Sequence, residues 1–316
     1  MVQSILPDRP HYFLTDGGIE TTMIFDHGFD LPYFAAFTLL ETDAGRAALV
    51  AYFERYIGIA KATGWGFILE SATWRASSDW GSLLNYTKAD LAEANKQAIC
   101  MLQELNAHHQ TASSPMLVSG CIGPRGDGYD AGKLMTPGEA QSYHSEQINV
   151  FAQAGVDMVT AITMTNTAEA IGLCRAAQAV DVPCVVSFTV ETDGCLPTGQ
   201  PLKDAIVEVD SATNSAPAYF MINCAHPDHF RGQLNPEEAW ISRLWGIRAN
   251  ASRKSHAELD ESESLDRGDS QDLAQRYAEL CGSLPDLRVL GGCCGTDHQH
   301  MEDITRAITG PQPVSH

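Results

Sequence analysis

The sequence contains two adjacent cysteines, Cys293 and Cys294, at the end of an apolar run in the segment Val-Leu-Gly-Gly-Cys-Cys-Gly-Thr (289–296). Neighbouring side chains of a regular strand point to opposite faces, so the pair can share one metal ion only where the backbone curls. The glycines on both sides permit such a curl because glycine has no Cβ. The segment therefore indicates a metal-binding corner. Ordinary buried thiols are the alternative, since free cysteine is often buried.

A third sulfur is expected from Cys224, which closes a second apolar run, Ala-Tyr-Phe-Met-Ile-Asn-Cys (218–224). Three thiolates leave one position of a tetrahedral zinc ion open, which is the arrangement of a catalytic rather than a structural site. We therefore predict a zinc site formed by Cys224, Cys293 and Cys294.

Composition limits the class of protein. A chain of 316 residues with 44% hydrophobic content can bury a large core, and its amino-terminal segment lacks the pattern of an export signal. Nine cysteines without regular spacing argue against a disulfide framework and for a reducing compartment, so we expect a soluble cytoplasmic protein. A formal charge of −20 excludes nucleic acid and anionic membranes as expected partners, because both would repel the chain.

Strand-like apolar runs alternate with longer helix-like segments along the whole chain. Eight strands are predicted, at Tyr12–Asp16, Gly66–Ser71, Met116–Gly120, Met158–Thr163, Cys184–Val190, Tyr219–Asn223, Leu244–Ala249 and Val289–Gly292. Helices are predicted between them, at Ala44–Thr63, Lys88–His109, Thr136–Gln153, Asn166–Ala179 and Gln271–Cys281.

Eight strand-helix units predict an α/β fold, a single (β/α)8 TIM-type barrel formed by one domain over residues 1–316. A doubly wound open sheet is the alternative, but Asp16-Gly17-Gly18-Ile19-Glu20 is not the phosphate-binding glycine loop typical of that fold. Barrel enzymes place their chemistry at the carboxyl ends of the strands. The polar residues predicted there are Asp16, Glu70, Ser71, Cys121, Thr163, Glu191, Asn223, Cys224, Asn250, Cys293 and Cys294.

The chain resembles the homocysteine S-methyltransferase family, which includes betaine- and S-methylmethionine-dependent enzymes and the homocysteine module of cobalamin-dependent methionine synthase. The resemblance runs in order from about residue 11 to residue 308, and its most specific part is Ile222-Asn223-Cys224 with Gly291-Gly292-Cys293-Cys294-Gly295-Thr296. The other similar motifs are Asp16-Gly17-Gly18, Ala72-Thr73-Trp74-Arg75-Ala76-Ser77, Ala154-Gly155-Val156-Asp157, and Val182-Pro183 followed by Ser187-Phe188-Thr189-Val190.

The resemblance implies Zn²⁺ held by the three cysteines, with the sulfur of homocysteine as the fourth ligand. It implies methyl transfer to that sulfur, giving methionine, from a sulfonium or ammonium donor such as S-methylmethionine, S-adenosylmethionine or betaine. An aromatic wall would hold such a cation, and Trp74, Phe34 and Phe37 are candidates. The substrate-binding residues expected from the motifs and strand ends are Asp16, Gly17, Glu70, Thr73, Trp74, Thr163 and Asn223.

The chain departs from the family at Ile162, where similar proteins carry a glutamate that binds the amino group of homocysteine. An apolar side chain cannot neutralise an ammonium group. Either Glu70 or Glu191 takes that role, or the acceptor is a different small thiol. Asp16 is a further candidate for the amino group, with a turn residue before Gly17 as the alternative interpretation.

Two other functions are compatible with a zinc barrel, namely a hydrolase that activates water and a noncatalytic zinc-stabilised barrel. All-sulfur ligation argues against the hydrolase, and the absence of an evident fourth protein ligand argues against the structural site. The expected partners are a small-molecule thiol and a methyl donor. The sequence is compatible with a homo-oligomer. The acidic segment Lys254–Asp272 is interpreted as a solvated loop and helix start, with a lid as the alternative.

Overall fold

The structure is a computed structural model that describes residues 5–8, 10–262 and 264–310. Eight parallel strands close into a barrel in chain order, which confirms the predicted (β/α)8 architecture. The ends of the predicted single domain, and residue 263 of the acidic segment, lie outside the described residues. The strands are β1 Phe13–Leu14, β2 Gly66–Glu70, β3 Met116–Ile122, β4 Met158–Met164, β5 Cys184–Phe188, β6 Pro217–Asn223, β7 Leu244–Ala249 and β8 Val289–Gly292.

All eight strands are almost entirely buried, as expected for a parallel sheet covered on one face by helices and filled on the other by side chains. The barrel interior contains an apolar cluster that includes Phe13, Ile68, Met158, Tyr219 and Val289. A larger apolar core lies between the strands and the outer helices. Both cores fix the strand positions from which the loops at the carboxyl ends extend.

The helices are α1 Ile19–Phe25, α2 Asp43–Thr63, α3 Ser78–Leu83, α4 Lys88–His109, α5 Pro137–Ala154, α6 Thr167–Ala179, α7 Leu202–Thr213, α8 Pro227–Phe230, α9 His256–Asp260, α10 Ser270–Ser283 and α11 His298–Thr309. All five predicted helices are present, within three residues at each end. The long helices have strong local signals: Thr87 with Asp90 and Thr136 with Glu139 form capping boxes at the starts of α4 and α5.

Two strands differ from the prediction in an informative way. β1 is short, although the ladder continues through Thr15 N to Leu290 O (2.8 Å) and Gly292 N to Asp16 O (2.9 Å). β4 extends to Met164, and its pairing with β5 shifts register between Ala161 and Met164. Thr163 lies in this irregular stretch with a left-handed backbone (φ 65°), which a threonine rarely adopts without a compensating contact.

In the described part of the chain, no helix is both long enough and apolar enough to cross a membrane.

Candidate metal centre and its surroundings

The structure brings together the three cysteines predicted to bind metal. Cys224 follows β6 and Cys293 and Cys294 follow β8, and their three sulfurs lie within 4.8 Å of one another. Cys224 is buried (4% exposed), while the other two are partly exposed. A site with one buried and two partly exposed sulfurs at the carboxyl ends of barrel strands is accessible to a small molecule.

The backbone curls at both positions, as metal sharing by adjacent cysteines requires. Cys224 has a left-handed conformation (φ 52°), and Gly295 follows the cysteine pair with φ 78°. A Cβ on Gly295 would lie 2.5 Å from Asp266 O, so this turn requires glycine on two grounds. Backbone bonds hold the corner: Cys293 N donates to Ala249 O (2.8 Å) and Ala251 N donates to Cys294 O (3.1 Å).

Cys224 and Cys293 are joined by a disulfide bond, with Cα atoms 5.4 Å apart. Free thiols are expected at both positions from the sequence. The difference has a simple reason, because two cysteines close enough to share an ion are also close enough to oxidise. Among the divalent metal ions found in proteins, zinc is the one that a set of three cysteine thiolates suits best. The residues fit a zinc ion in the reduced state, since thiolates rather than disulfide sulfurs are the ligands.

Asn223 and Thr163 form a polar pair beside the sulfurs, as predicted from their strand-end positions. Asn223 Oδ1 accepts from Thr163 N (2.9 Å) and from Ser187 Oγ (2.6 Å), while Asn223 Nδ2 donates to Thr163 Oγ1 (2.8 Å). The same Nδ2 lies 4.0 Å from Cys293 Sγ. These bonds explain how Thr163 keeps its unusual backbone conformation, and they place a side-chain amide next to the sulfur of Cys293.

Asp16 is buried (2% exposed) and occupied on both oxygens. Its Oδ1 accepts from Arg248 Nη2 (2.7 Å) and its Oδ2 accepts from Tyr52 Oη (3.0 Å). Burial raises the pKa of Asp16, although Arg248 and Tyr52 oppose the shift. Arg248 also donates to Gly17 O and Gly292 O, so it ties the predicted Asp16-Gly17 segment to the strand that leads into Cys293. Sequence reasoning did not identify Arg248.

Glu70 is a buried carboxyl group on β2 (4% exposed), and its Oε2 has no hydrogen-bond partner among the described residues. Burial raises its pKa to about 7, although Arg248, Ser119 and Thr160 oppose the shift. Glu191, the other predicted acid, instead lies 3.1 Å from His256 Nδ1. Of the two acids proposed from the sequence, Glu70 is the one with a buried oxygen that lacks a partner among the described residues.

Glu20 is an acid that sequence reasoning missed. It lies in the first turn of α1, which packs on the cysteine loop: Gly295 N donates to Thr21 Oγ1 (3.4 Å), and a Cβ on Gly18 would lie 2.6 Å from Cys293 O. Glu20 is partly exposed, and burial raises its pKa to about 7, with Asp16 adding to the shift. Its position four residues after Asp16 was the available signal.

The three aromatic candidates for a cation wall lie in different surroundings. Phe37 is buried (1% exposed) and packs edge-on against Tyr86, and Phe34 is 49% exposed. Trp74 donates from Nε1 to Ile162 O (3.3 Å) and its ring faces the guanidinium of Arg75 at 3.8 Å. That face of the indole is therefore already covered by a cation of the protein itself.

Thr73 and Ile162 are both buried near the mouth. Thr73 Oγ1 donates to Cys121 O (2.7 Å), so its hydroxyl joins the loop after β2 to β3. Ile162 is 7% exposed and lies on β4 directly before Thr163. Cys121 is buried, and burial raises the pKa of its thiol well above the ordinary value. This thiol is therefore protonated at neutral pH and acts as a packing group.

Two residues outside the predicted set contact the cysteines. Tyr129 Oη lies 3.5 Å from Cys294 Sγ, and the Tyr129 ring stacks on the His256 ring at 4.0 Å. His256 Nε2 lies 2.6 Å from Cys224 O. His256 begins α9 in the acidic segment that was interpreted as solvated, yet it is only 6% exposed. At least this part of the segment belongs to the wall of the site.

Comparisons with known proteins agree with this geometry. The family model for homocysteine S-methyltransferases matches residues 13–308. The chain is 22% identical over 260 residues to "Homocysteine S-methyltransferase 4" from Zea mays, a match that covers 76% of this chain and 75% of that protein.

Among solved structures, it is similar to homocysteine methyltransferase MmuM from Escherichia coli, with 17% identity. The oxidized form of that enzyme aligns with a TM-score of 0.75 and the metallated form with a TM-score of 0.71, each over 94% of this chain and 96% of that chain. The likeness to solved structures establishes the barrel fold. The family model spans nearly the whole chain, so the protein is an S-methyltransferase that belongs to the homocysteine S-methyltransferase family.

Proposed function

We propose that the protein transfers a methyl group from a cationic sulfonium or ammonium donor to the sulfur of homocysteine, giving methionine. S-Methylmethionine, S-adenosylmethionine and betaine are the candidate donors. The observation that carries the proposal is the convergence of three cysteine sulfurs within 4.8 Å at the carboxyl ends of β6 and β8. Membership of the family and the likeness to a metallated methyltransferase support it.

The residues that would hold a zinc ion are Cys224, Cys293 and Cys294 in their reduced state. When bound, zinc would lower the pKa of a substrate thiol so that it is a thiolate at neutral pH, where a free thiol is mostly protonated. The buried surroundings of Cys224 keep bulk water away from that sulfur. Asn223 Nδ2, 4.0 Å from Cys293 Sγ, would orient the sulfurs through its fixed bonds to Thr163.

Recognition of the amino group of homocysteine needs an acid, because Ile162 cannot provide one. We propose Glu70, whose Oε2 has no partner among the described residues and which is buried where an ammonium group would be held tightly. Asp16 is less suited because Arg248 and Tyr52 occupy its two oxygens. Glu191 is less suited because it faces His256.

A different small thiol is the second candidate acceptor, and one observation favours it. Arg248 neutralises Asp16, and Ile162 is apolar, so two positions near the cysteines offer no free negative charge. A thiol that carries no amino group would need none. Affinities for homocysteine and for 4-mercaptobutyrate, which lacks the amino group, separate the two candidates. For homocysteine as the true acceptor, we expect Glu70→Gln to weaken homocysteine binding at least tenfold and to leave 4-mercaptobutyrate unchanged.

The direct test uses reduced, zinc-loaded protein with homocysteine and each of the three donors, and measures methionine by mass spectrometry. We expect methionine from one donor, with loss of at least 100-fold in Cys294→Ser. Cys100→Ser is the matched control because Cys100 is exposed on α4 and outside the sulfur cluster. Equal activity of Cys294→Ser and Cys100→Ser would contradict the proposal.

We further propose that the enzyme works in a reducing compartment, the cytoplasm, because its function needs Cys224 and Cys293 as thiolates. We also propose that a single domain carries the activity. A homo-oligomer is compatible with the chain. Its proposed partners are small molecules. Gel filtration with light scattering would give the oligomeric state.

A further inference from the structure

One aromatic side chain touches the sulfur cluster from a loop that no sequence motif singled out. Tyr129 lies in the loop between β3 and α5, and its Oη is 3.5 Å from Cys294 Sγ. Its ring stacks on His256 at 4.0 Å with an interplanar angle of 14°. His256 is itself bound to Cys224 O through Nε2 (2.6 Å). Tyr129 and His256 therefore contact two of the three cysteines from one side.

The loop is held in this position by contacts that are independent of the cysteines. Arg75 donates from Nη1 to Gly126 O (2.9 Å), and its guanidinium lies between Trp74 and Trp80 at 3.8 and 3.7 Å from the ring centroids. Arg75 is only 4% exposed. A clamped, buried arginine thus anchors the loop on one side of Tyr129.

The loop also packs closely against Thr163 and Trp74 at Gly128. A Cβ on Gly128 would be 3.1 Å from Thr163 Cγ2 and 3.1 Å from Trp74 Cζ2, which is closer than ordinary contact. Asp127 Oδ1 accepts from Tyr129 N (2.7 Å) and so fixes the backbone at Tyr129. The position of the Tyr129 hydroxyl is therefore determined by the loop and not by a flexible side chain alone.

We propose that Tyr129 is a positioning residue whose hydroxyl donates a hydrogen bond to the Cys294 thiolate. The inference rests on the proposed zinc site. A metal-bound thiolate carries no proton, so in that state the tyrosine must be the donor. Hydrogen bonds to ligand atoms withdraw charge from them and orient them, and loss of such a bond typically reduces metal affinity by 10–100-fold. Tyr129 would thereby tune how much charge Cys294 gives to a bound metal ion.

The test is Tyr129→Phe, which keeps the ring that stacks on His256 and removes only the hydroxyl. Reduced protein is loaded with Co²⁺, and the sulfur-to-cobalt charge-transfer band is recorded. We expect the band to move to lower energy, because the sulfur lone pair loses a stabilising hydrogen bond, and we expect zinc affinity to fall about tenfold in competition with a chelator. Tyr33→Phe is the control, because Tyr33 is 49% exposed and its ring lies near Trp80, not near the cysteines.

The outcomes separate the two proposals. A wild-type protein that binds Co²⁺ without a sulfur charge-transfer band would overturn the zinc site and the role of Tyr129 together. A wild-type band that Tyr129→Phe leaves unmoved, with unchanged zinc affinity, would overturn the role of Tyr129 and leave the zinc site standing. A shift in Tyr129→Phe that is absent in Tyr33→Phe would support the inference.

Discussion

Replacement of Arg248 with methionine tests how the site is held together. Arg248 and Asp16 form a 2.7 Å ion pair with side-chain exposures of 8% and 3%. Methionine fills a similar volume but leaves Asp16 as an uncompensated buried acid. Breaking a buried pair in this way costs about 3 to 5 kcal/mol, because the remaining charge has lost its partner without regaining water.

The structure also sets the direction of the pH dependence. Arg248 stabilises only the charged form of Asp16 and so lowers a pKa that burial raises. The loss of stability in Arg248→Met therefore grows as pH rises and Asp16 ionises, and it shrinks at acid pH where Asp16 is neutral. In the double variant Asp16→Asn with Arg248→Met, we expect the loss in free energy of unfolding to be about 2 kcal/mol smaller than the sum of the losses in the two single variants.

The assay is equilibrium unfolding in denaturant under reducing conditions at pH 5.5 and pH 8. Arg243→Met is the matched control, because Arg243 binds Asp210 at 2.7 Å with higher exposures of 24% and 18%. We expect this control to lose only about 1 to 2 kcal/mol. A loss below about 1 kcal/mol in Arg248→Met, or strictly additive losses in the double variant, would refute the reasoning.

Three further outcomes follow from the structure. Glu70→Gln gains stability over the wild type as pH rises from 5 to 8. We expect a gain of about 2.5 kcal/mol in unfolding experiments, because burial raises the pKa of Glu70 to about 7 from an ordinary value of 4.5 and ionisation is then unfavourable. A constant difference across this range would contradict that assignment. Gly128→Ala raises the KM for the thiol several-fold, because its methyl group would lie 3.1 Å from Thr163. Gly126→Ala leaves KM unchanged, because no atom lies within 4 Å of the added Cβ. Equal KM values in the two variants would contradict close packing of this loop against the site. Tyr277→Phe lowers the free energy of unfolding by about 1 to 3 kcal/mol, because its fully buried hydroxyl joins Ala249 N at the end of β7 to Gly291 O within β8. An unchanged free energy of unfolding would contradict this role of the hydroxyl.

Most of the barrel could be predicted from the sequence because parallel strands buried on both faces are nearly continuous apolar runs. The eight runs correspond to the eight strands, and the strongest helices carry capping signals such as Thr136 with Glu139. The short helices α1 and α3 were missed because their lengths of 7 and 6 residues give too little periodicity.

The cysteine triad could be predicted because glycines and strand ends mark its position in the sequence. Arg248, Tyr129 and His256 could not, for a physical reason. Arg248 is the fifth residue of the six-residue, otherwise apolar strand β7, and its partner Asp16 is 232 residues away. Tyr129 and His256 lie in loops and meet only through tertiary packing, at 4.0 Å between ring centroids. Local patterns carry no information about such pairs.

The ammonium site shows the same limit. The sequence offered Glu70 and Glu191 on equal terms, because both lie at or near strand ends. Only the three-dimensional arrangement distinguishes them. Among the described residues, the buried Oε2 of Glu70 has no hydrogen-bond partner, whereas Glu191 faces His256. Glu20 was missed because the packing of its helix α1 on the cysteine loop, through the bond from Gly295 N to Thr21 Oγ1, is a tertiary contact.

The zinc-edge X-ray absorption spectrum of reduced, zinc-loaded protein, with and without homocysteine, tests the central claim most directly. We expect three sulfur neighbours and one lighter atom without homocysteine, and four sulfur neighbours near 2.3 Å with it. Zinc with no sulfur neighbours would contradict the site formed by Cys224, Cys293 and Cys294. Three sulfurs that stay three after homocysteine is added would keep that site and contradict homocysteine as the acceptor.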